Sequence, residues 1–348
     1  MKKILITIAI IFIFPIHTFA YKYPLIIDTD AGWDDWIAIS YLIKKEPKSN
    51  YKIIGIVSNG IGESHLREGR NNIKKITLLS GRPDIPVYLG EEKPLKGNHH
   101  FPKKFRKSVD NMFNLHLPDN NQENPTISGI EFIKKSLTKF HNVKILAIGG
   151  LTDIAKVIQE NSSLISNINS IYVMGGSFDF KNFNKHKMQL PRGNIQDFQP
   201  TEYPDYNISE WNIFLDPVAA KIIFSKLKNK IFLTPLNVTK EIPLTLDIIN
   251  KINQKSSLAK FIRAVLNERY RDSIKNNYQE YFYDAITAVL LAQNKYVTYR
   301  DINVNIIDNL NSNKSGATLL IHGNRKNAKV PYLINKKMIY KELISIYD

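Results

Sequence analysis

The chain contains no cysteine among its 348 residues, which excludes disulfides and thiolate metal sites. Past residue 20 it also lacks any apolar run long enough to cross a bilayer. No helix-turn-helix, zinc-finger or RNA-binding signature focuses its net charge of +16, so a specific nucleic-acid partner is not expected. The basic clusters Lys103–Lys107, Lys226–Lys230 and Arg325–Lys329 lie among Asn and Ile and read as solvated surface. Repeats and Pro/Gly/Ser-rich linkers are absent too, so nothing divides the chain beyond its N-terminus. There, Lys2 and Lys3 precede an apolar core from Ile4 to Phe14 and a small-residue site at Ala20. That is the form of a secretory signal peptide over residues 1–20, leaving a domain at 21–348 that is periplasmic or secreted, without a membrane span after cleavage. An exported chain without disulfides must rely on its core, and a bound metal would add a further brace.

What the sequence does have is strand-length apolar runs alternating with segments of helical period. Strands are expected at Leu25–Thr29, Ile53–Val57, Val87–Leu89, Val143–Ile148, Ser170–Met174 and Ile231–Leu236. Helices are expected at Trp33–Lys44, Ser64–Ser80, Thr126–Phe140, Thr152–Asn161, Pro217–Ser225, Leu244–Asn253, Ala259–Asp272, Ala285–Ala292 and Lys336–Ile346, with a short strand pair at Val304–Ile307 and Thr318–Ile321. The alternation predicts an α/β fold, one domain with a central, mostly parallel sheet flanked by helices, Rossmann-like in plan. In such sheets ligands sit at the carboxyl ends of the strands. Two segments, Glu91–Pro125 and Ser177–Asn207, carry no clear period and read as substrate-facing loops.

One junction stands out. LIIDTDAGWDDWIAI places Asp28, Asp30, Asp34 and Asp35 between the first strand and the first helix. A helix cap uses one carboxylate, so four at this spacing call for a hard cation with oxygen ligands. Other strand exits add Ser58-Asn59-Gly60, Ile148-Gly149-Gly150 and Met174-Gly175-Gly176, followed later by Glu210-Trp211-Asn212 and Tyr283-Asp284. Acids, amides and glycines on one rim suit a cation and a polyhydroxyl substrate.

The motif DTDAGWDD resembles the DxDPGxDD signature of the inosine–uridine-preferring nucleoside hydrolases, and the blocks LSGRPDIPVYLGEEKPL, ILAIGGLTDIA, IYVMGG, EWNIFLDPVAA and YDAITAVLLA follow in that family's order. The resemblance implies Ca2+ held by Asp30, Asp35, Asp284 and the carbonyl of Ile148. It also implies ribose contacts from Asp34, Asn59, Asn194, Glu210 and Asn212, with Met174 packing nearby. Trp211, between two of these contacts, is a stacking surface, whereas Trp33, Trp36, Tyr281 and Phe282 read as core. Asp30 would act as general base on a water held by the metal, and Asp28 would buttress the turn. The implied activity is an exported, calcium-dependent hydrolase that cleaves ribonucleosides to free base and ribose, in purine or pyrimidine salvage. The homo-oligomeric state stays open.

Three departures from the family pattern matter. Ala31 replaces a proline, a mild loss of turn rigidity, and Asp153 replaces an asparagine at a helix cap. Tyr283 stands where many members carry a proton-donating histidine, and phenol is a slow acid. Two other readings follow: a nucleoside- or ribose-binding protein of impaired turnover on the same fold, and a phosphotransferase using Asp28 as nucleophile. No histidine has a spacing that replaces the missing donor.

Overall fold

Successive residues of β1 (Tyr23–Thr29) face opposite ways, and the layers of the fold follow from that alternation. Leu25 and Ile27 join one buried cluster with Trp36, Tyr41 and Ile286. Ile26 joins the other, with Ile133, Ile154 and Ile223. This computed structural model describes residues 22–180, 192–198 and 200–347. The expected signal peptide at 1–20 and the stretch 181–191 of the second irregular segment lie outside the described residues.

Seven further strands join β1 in one sheet: β2 (Tyr51–Ser58), β3 (Val87–Leu89), β4 (Val143–Ile148), β5 (Ile168–Met174), β6 (Ile231–Thr234), β7 (Val297–Ile302) and β10 (Ala328–Ile334). Their order is β3-β2-β1-β4-β5-β6-β10-β7, and every pairing is parallel except β10 with β7. A separate antiparallel pair, β8 (Val304–Ile306) with β9 (Thr318–Leu320), matches the expected pair. One face of the sheet packs against α1 (Trp33–Lys45) and α2 (Leu66–Leu79). The same layer holds the later helices α9 (Leu246–Lys251), α10 (Ser257–Lys275), α11 (Tyr283–Ala292) and α12 (Lys336–Ser345). The other face packs against α4 (Gly129–Lys139), α5 (Thr152–Glu160) and α7 (Pro217–Lys226). Short helices α3 (Lys103–Asp110), α6 (Trp211–Leu215) and α8 (Leu236–Thr239) lie in the connections.

The chain leaves β1 toward β2 and β3 on one side and returns to place β4, β5 and β6 on the other. The strand order therefore reverses between β1 and β4, where Thr29 is paired with Ile148. A crevice at the carboxyl ends of these two strands is where such a sheet binds ligands. No helix of the described residues is long and apolar enough to cross a membrane.

Besides the short helices α6 and α8, three elements depart from expectation. Strand β7, VTYRDI, is a half-exposed edge with little apolar alternation. In β10 the pairing register shifts at Pro331, whose missing N–H breaks the ladder. Helix α3 falls inside the aperiodic Glu91–Pro125 segment because only Val109 of its residues is buried.

Candidate active site

The turn from β1 into α1 sorts its four aspartates by direction. Asp28, on the same side of the strand as Ile26, points toward α5: its Oδ1 accepts from Asn59 Nδ2 at 3.2 Å. Burial, and then Asp153 facing it, push the Asp28 carboxyl well above the usual carboxylate range. Asp153 is itself pushed up to about 6 by burial. Two facing carboxyls of this kind share a proton. Asp153 is thus more than a tolerated cap change, and Asp28 is turned away from the crevice, contrary to a nucleophilic role. Ala31 corrects a second expectation: its φ is 62°, a left-handed conformation closed to proline. The change from the family's proline therefore accompanies a different turn rather than a looser version of the same one.

Asp35 accepts from the Thr29 hydroxyl and from the Gly32 N–H at 2.9 Å. Asp34 Oδ2 accepts from the backbone N–H of Asp284 at 3.2 Å, tying α1 to α11. Oxygens of Asp34, Asp35 and Asp284 approach within 4.8 Å of one another, and Asp284 Oδ1 is buried with no hydrogen-bond partner among the described residues. Asp30 stands beside this triad rather than in it. Its Oδ2 accepts from Glu63 N–H at 3.2 Å, and its carboxyl also hydrogen-bonds to Asp35. Burial raises Asp30 to about 6 and Asp34 to about 7, and holds Asp35 and Asp284 well above the usual range. Burial, and repulsion among neighbouring carboxylates for Asp34, Asp35 and Asp284, favour the neutral form of each. An all-oxygen, orphan-bearing cluster at the β1 exit fits a hard divalent metal. Ile148, whose side chain is fully buried, ends β4 beside it, where a carbonyl is the available donor.

The opposite wall comes from β5 and α6. Glu210 caps α6, its Oε1 accepting from Asn212 N–H at 2.8 Å and its Oε2 from Gly176 N–H at 2.9 Å and Ile213 N–H at 3.1 Å. Burial nonetheless raises it to about 7. Asn212 Nδ2 donates to the Met174 carbonyl at 3.3 Å. Asn194 lies near in space despite the long intervening segment, because its N–H donates to Ser209 O at 3.1 Å and its Oδ1 accepts from Trp211 N–H at 3.1 Å.

Asp30, Asp34, Met174, Asn194, Glu210, Trp211, Asn212, Tyr283 and Asp284 line one small cavity of about 30 Å³, together with Trp33, Glu63 and Phe101. Asn59, Asp35 and Ile148 are not among the residues that line it. Trp211 stacks on Phe101 with ring centroids 4.0 Å apart, so it forms wall and core at once. Tyr283 is buried, and desolvation followed by the nearby Glu280 carboxyl holds its hydroxyl well above its ordinary pKa. Such a phenol keeps its proton. None of the described histidines lines the cavity; His99 stacks on Phe214 with centroids 3.9 Å apart.

Sequence reasoning missed Glu63 and Arg106. Arg106, in the KKFRK cluster read as solvated, donates to the Gly60 and Ser64 carbonyls, each at 2.7 Å. It clamps the loop that leaves β2. A polar residue four positions past Asn59 at a strand exit was the available signal for Glu63. Gly62 in the same loop is a close-approach position, since a Cβ there would overlap Asp30 Oδ2. Gly62→Ala is expected to displace that carboxylate and lower kcat by roughly 10²-fold, the cost of a misplacement near 1 Å. Thermal melting should show the fold retained; a variant of normal rate would mean that Asp30 needs no fixed position.

Carboxylates, amides and a buried acid thus meet at the switch point of the parallel sheet, where such sheets bind ligands. The profile of the inosine–uridine preferring nucleoside hydrolases matches residues 25–341, and the chain belongs to that family, whose members act on N-glycosyl bonds. It is 27% identical over 281 residues to uridine nucleosidase 1 of Arabidopsis thaliana, covering 79% of this chain and 76% of that one. To a pyrimidine-specific ribonucleoside hydrolase of Photobacterium profundum it is 29% identical over 238 residues, 66% of each. In fold it is similar to a purine-preferring ribonucleoside hydrolase from Gardnerella vaginalis, with a TM-score of 0.76 at 22% identity over 93% of this chain and 98% of that one.

Proposed function

We propose that this protein is an exported, calcium-dependent hydrolase that splits ribonucleosides into free base and ribose. The observation that carries the reading is the convergence of Asp30, Asp34, Asn194, Glu210, Asn212 and Asp284, distant in sequence, on one cavity at the β1/β4 switch point. Asp35 and Asp284 would hold the cation, with Asp30, Asp34 and the Ile148 carbonyl as the neighbouring oxygen donors. A bound calcium ion supplies the positive charge that lets these carboxylates ionise, and it lowers the pKa of nearby water.

Asp30 accepts the proton of the attacking water, its carboxylate oriented by the Glu63 N–H. Glu210, fixed by three backbone N–H groups, and Asn212, fixed by the Met174 carbonyl, hold ribose hydroxyls. The carboxylates around the ring stabilise the cationic sugar as the glycosidic bond breaks. Tyr283 offers the departing base a hydrogen bond and an apolar ring, not an acidic proton. That feature also favours a second reading, a nucleoside-binding protein with impaired turnover.

The test incubates the full chain with calcium and a panel of ribonucleosides, measuring released base and reducing sugar. Cleavage abolished by EDTA and restored by calcium supports the hydrolase. Calcium-dependent nucleoside binding without product supports the impaired form. Within the active case, Tyr283→His should raise kcat by about tenfold near neutral pH, because an imidazole pKa near 6.5 suits proton transfer. An unchanged rate and base preference would remove residue 283 from the leaving-group step. Export is tested separately, by locating the protein and sequencing its mature N-terminus.

A further inference from the structure

Asp153 is fully buried in the first turn of α5, yet its carboxyl reaches outside the helix in two directions. Its Oδ1 accepts from the Glu91 N–H at 2.8 Å, a partner 62 residues away in the chain. Toward β1 it meets the Asp28 carboxyl in hydrogen-bonding contact, and Oδ2 of each has no other partner among the described residues. Two buried carboxyl oxygens in contact hold one proton between them. The chain beside Glu91 closes directly on the pair, since a Cβ at Gly90 would overlap Asp153 Oδ2.

From Asp153 two hydrogen-bonded arms run to the loop that leaves β2. The first passes through Asp28, whose Oδ1 accepts from Asn59 Nδ2 at 3.2 Å, and on to Asn59 Oδ1, which accepts from Ile61 N–H at 3.3 Å. The second passes through Glu91, whose N–H is held by Asp153 and whose carbonyl accepts from Gly60 N–H at 2.8 Å. Both arms end in the segment Gly60–Ser64, and that segment holds Asp30. Glu63 N–H donates to Asp30 Oδ2 and Ser64 N–H to the Asp30 carbonyl, each at 3.2 Å. The loop has no slack against this carboxylate, which a Cβ at Gly62 would overlap. A buried polar network whose members are satisfied fixes one geometry, and this one leads from α5 to the carboxylate at the β1 exit.

We propose that Asp153 is a positioning residue for the hydrolytic step: through Asp28 and Glu91 it fixes the Gly60–Ser64 loop and thereby the orientation of the Asp30 carboxylate. The proposal rests on the nucleoside hydrolase reading, in which Asp30 takes the proton of the attacking water. Asp28 serves the first arm only, so residue 153 is where both arms are lost together.

The test compares Asp153→Ala, Asp153→Asn, Gly90→Ala and the double variant Gly90→Ala/Asp153→Ala, in the full chain with calcium, each assayed well below its melting temperature. Asp153→Ala should lower kcat for ribonucleoside cleavage by about tenfold or more, as a small misplacement of a reacting group does. Asp153→Asn should stay within about threefold of wild type, because its amide oxygen accepts from Glu91 N–H and its amide nitrogen donates to Asp28. Gly90→Ala should reproduce the loss by displacing Oδ2, and should add nothing once residue 153 is alanine. Hydrogen exchange of the Gly60–Ser64 amides should quicken in Asp153→Ala and Gly90→Ala and stay unchanged in Asp153→Asn. An unchanged kcat in Asp153→Ala, a loss confined to KM, or an asparagine variant as impaired as alanine overturns the proposal. If the alanine variant does not fold, Gly90→Ala and Asp153→Asn decide it: no loss of kcat in the first, or an equal loss in both, overturns it. If the wild type cleaves no ribonucleoside, the hydrolase reading fails and exchange judges the loop by itself. Faster exchange in Asp153→Ala then leaves Asp153 as the holder of the loop, and unchanged exchange removes it from that role as well.

Discussion

Asp30→Asn is expected to lower kcat for ribonucleoside cleavage by roughly 10²- to 10⁴-fold, the range spanned by removal of a general base. The substitution keeps the shape, and the amide oxygen can still accept from the Glu63 N–H that now bonds Oδ2. What it removes is the capacity to take a proton. Asp30 also neighbours the cation cluster, so the rate must be read at calcium concentrations that saturate the variant, established by calorimetry. Asp28→Asn supplies the contrast two residues away. Asp28 bonds Asn59 and faces Asp153, so its loss should act through the position of Asn59, raising KM by about tenfold and sparing kcat. A kcat for Asp30→Asn within tenfold of wild type would eliminate Asp30 as the base.

The division of labour among the aspartates was partly legible in the sequence, and the part that was not has a physical cause. Four carboxylates in one strand-to-helix junction signal a cation by charge density alone. Period-2 alternation in β1 sends Asp28 to the side of Ile26. Which carboxylates converge depends instead on the helix phase of α1 and on the docking of α11, 250 residues away, through the Asp284 N–H to Asp34. Asp34, Asp35 and Asp284 bring oxygens within 4.8 Å of one another, and Asp30, which family resemblance implied as a ligand, is hydrogen-bonded to Asp35 at their side.

The parallel strands announced themselves as continuous apolar runs. By contrast, β7 and β10 did not, being an exposed edge and a strand broken at Pro331. Arg106 looked like one cation among many because burial is set by where α3 docks, and α3 has almost no apolar face. Ala31 shows the limit of motif matching: one residue changed and the backbone crossed to φ 62°, which no residue-type comparison exposes.

The second large effect concerns stability rather than rate. Without metal, the protein should lose stability as pH rises from about 4 to 8, and calcium should restore it by several kcal/mol at the upper end. Asp30 and Asp153 are raised to about 6, and Asp34 and Glu210 to about 7. Asp28, Asp35, Glu63 and Asp284 are also held well above the usual carboxylate range, by burial and then by neighbouring carboxylates. A carboxyl with a raised native pKa binds more protons folded than unfolded. Its contribution is complete below the unfolded value near 4, and it is lost as pH climbs through 6 and 7.

One pKa unit corresponds to about 1.4 kcal/mol, so shifts of two or three units on even part of this cluster are a large share of a marginal stability of roughly 5–15 kcal/mol. Calcium reverses the sign of the local argument. It favours the ionised carboxylates, while protons compete with it at low pH, so the stabilisation it confers should grow with pH. Urea denaturation at pH 5 and pH 8, each with EDTA and with millimolar calcium, isolates this increment from the titration of exposed groups common to both arms. The calcium increment should be small at pH 5 and several kcal/mol at pH 8. An increment independent of pH, or larger at pH 5, would mean that the cation does not bind through these buried carboxylates.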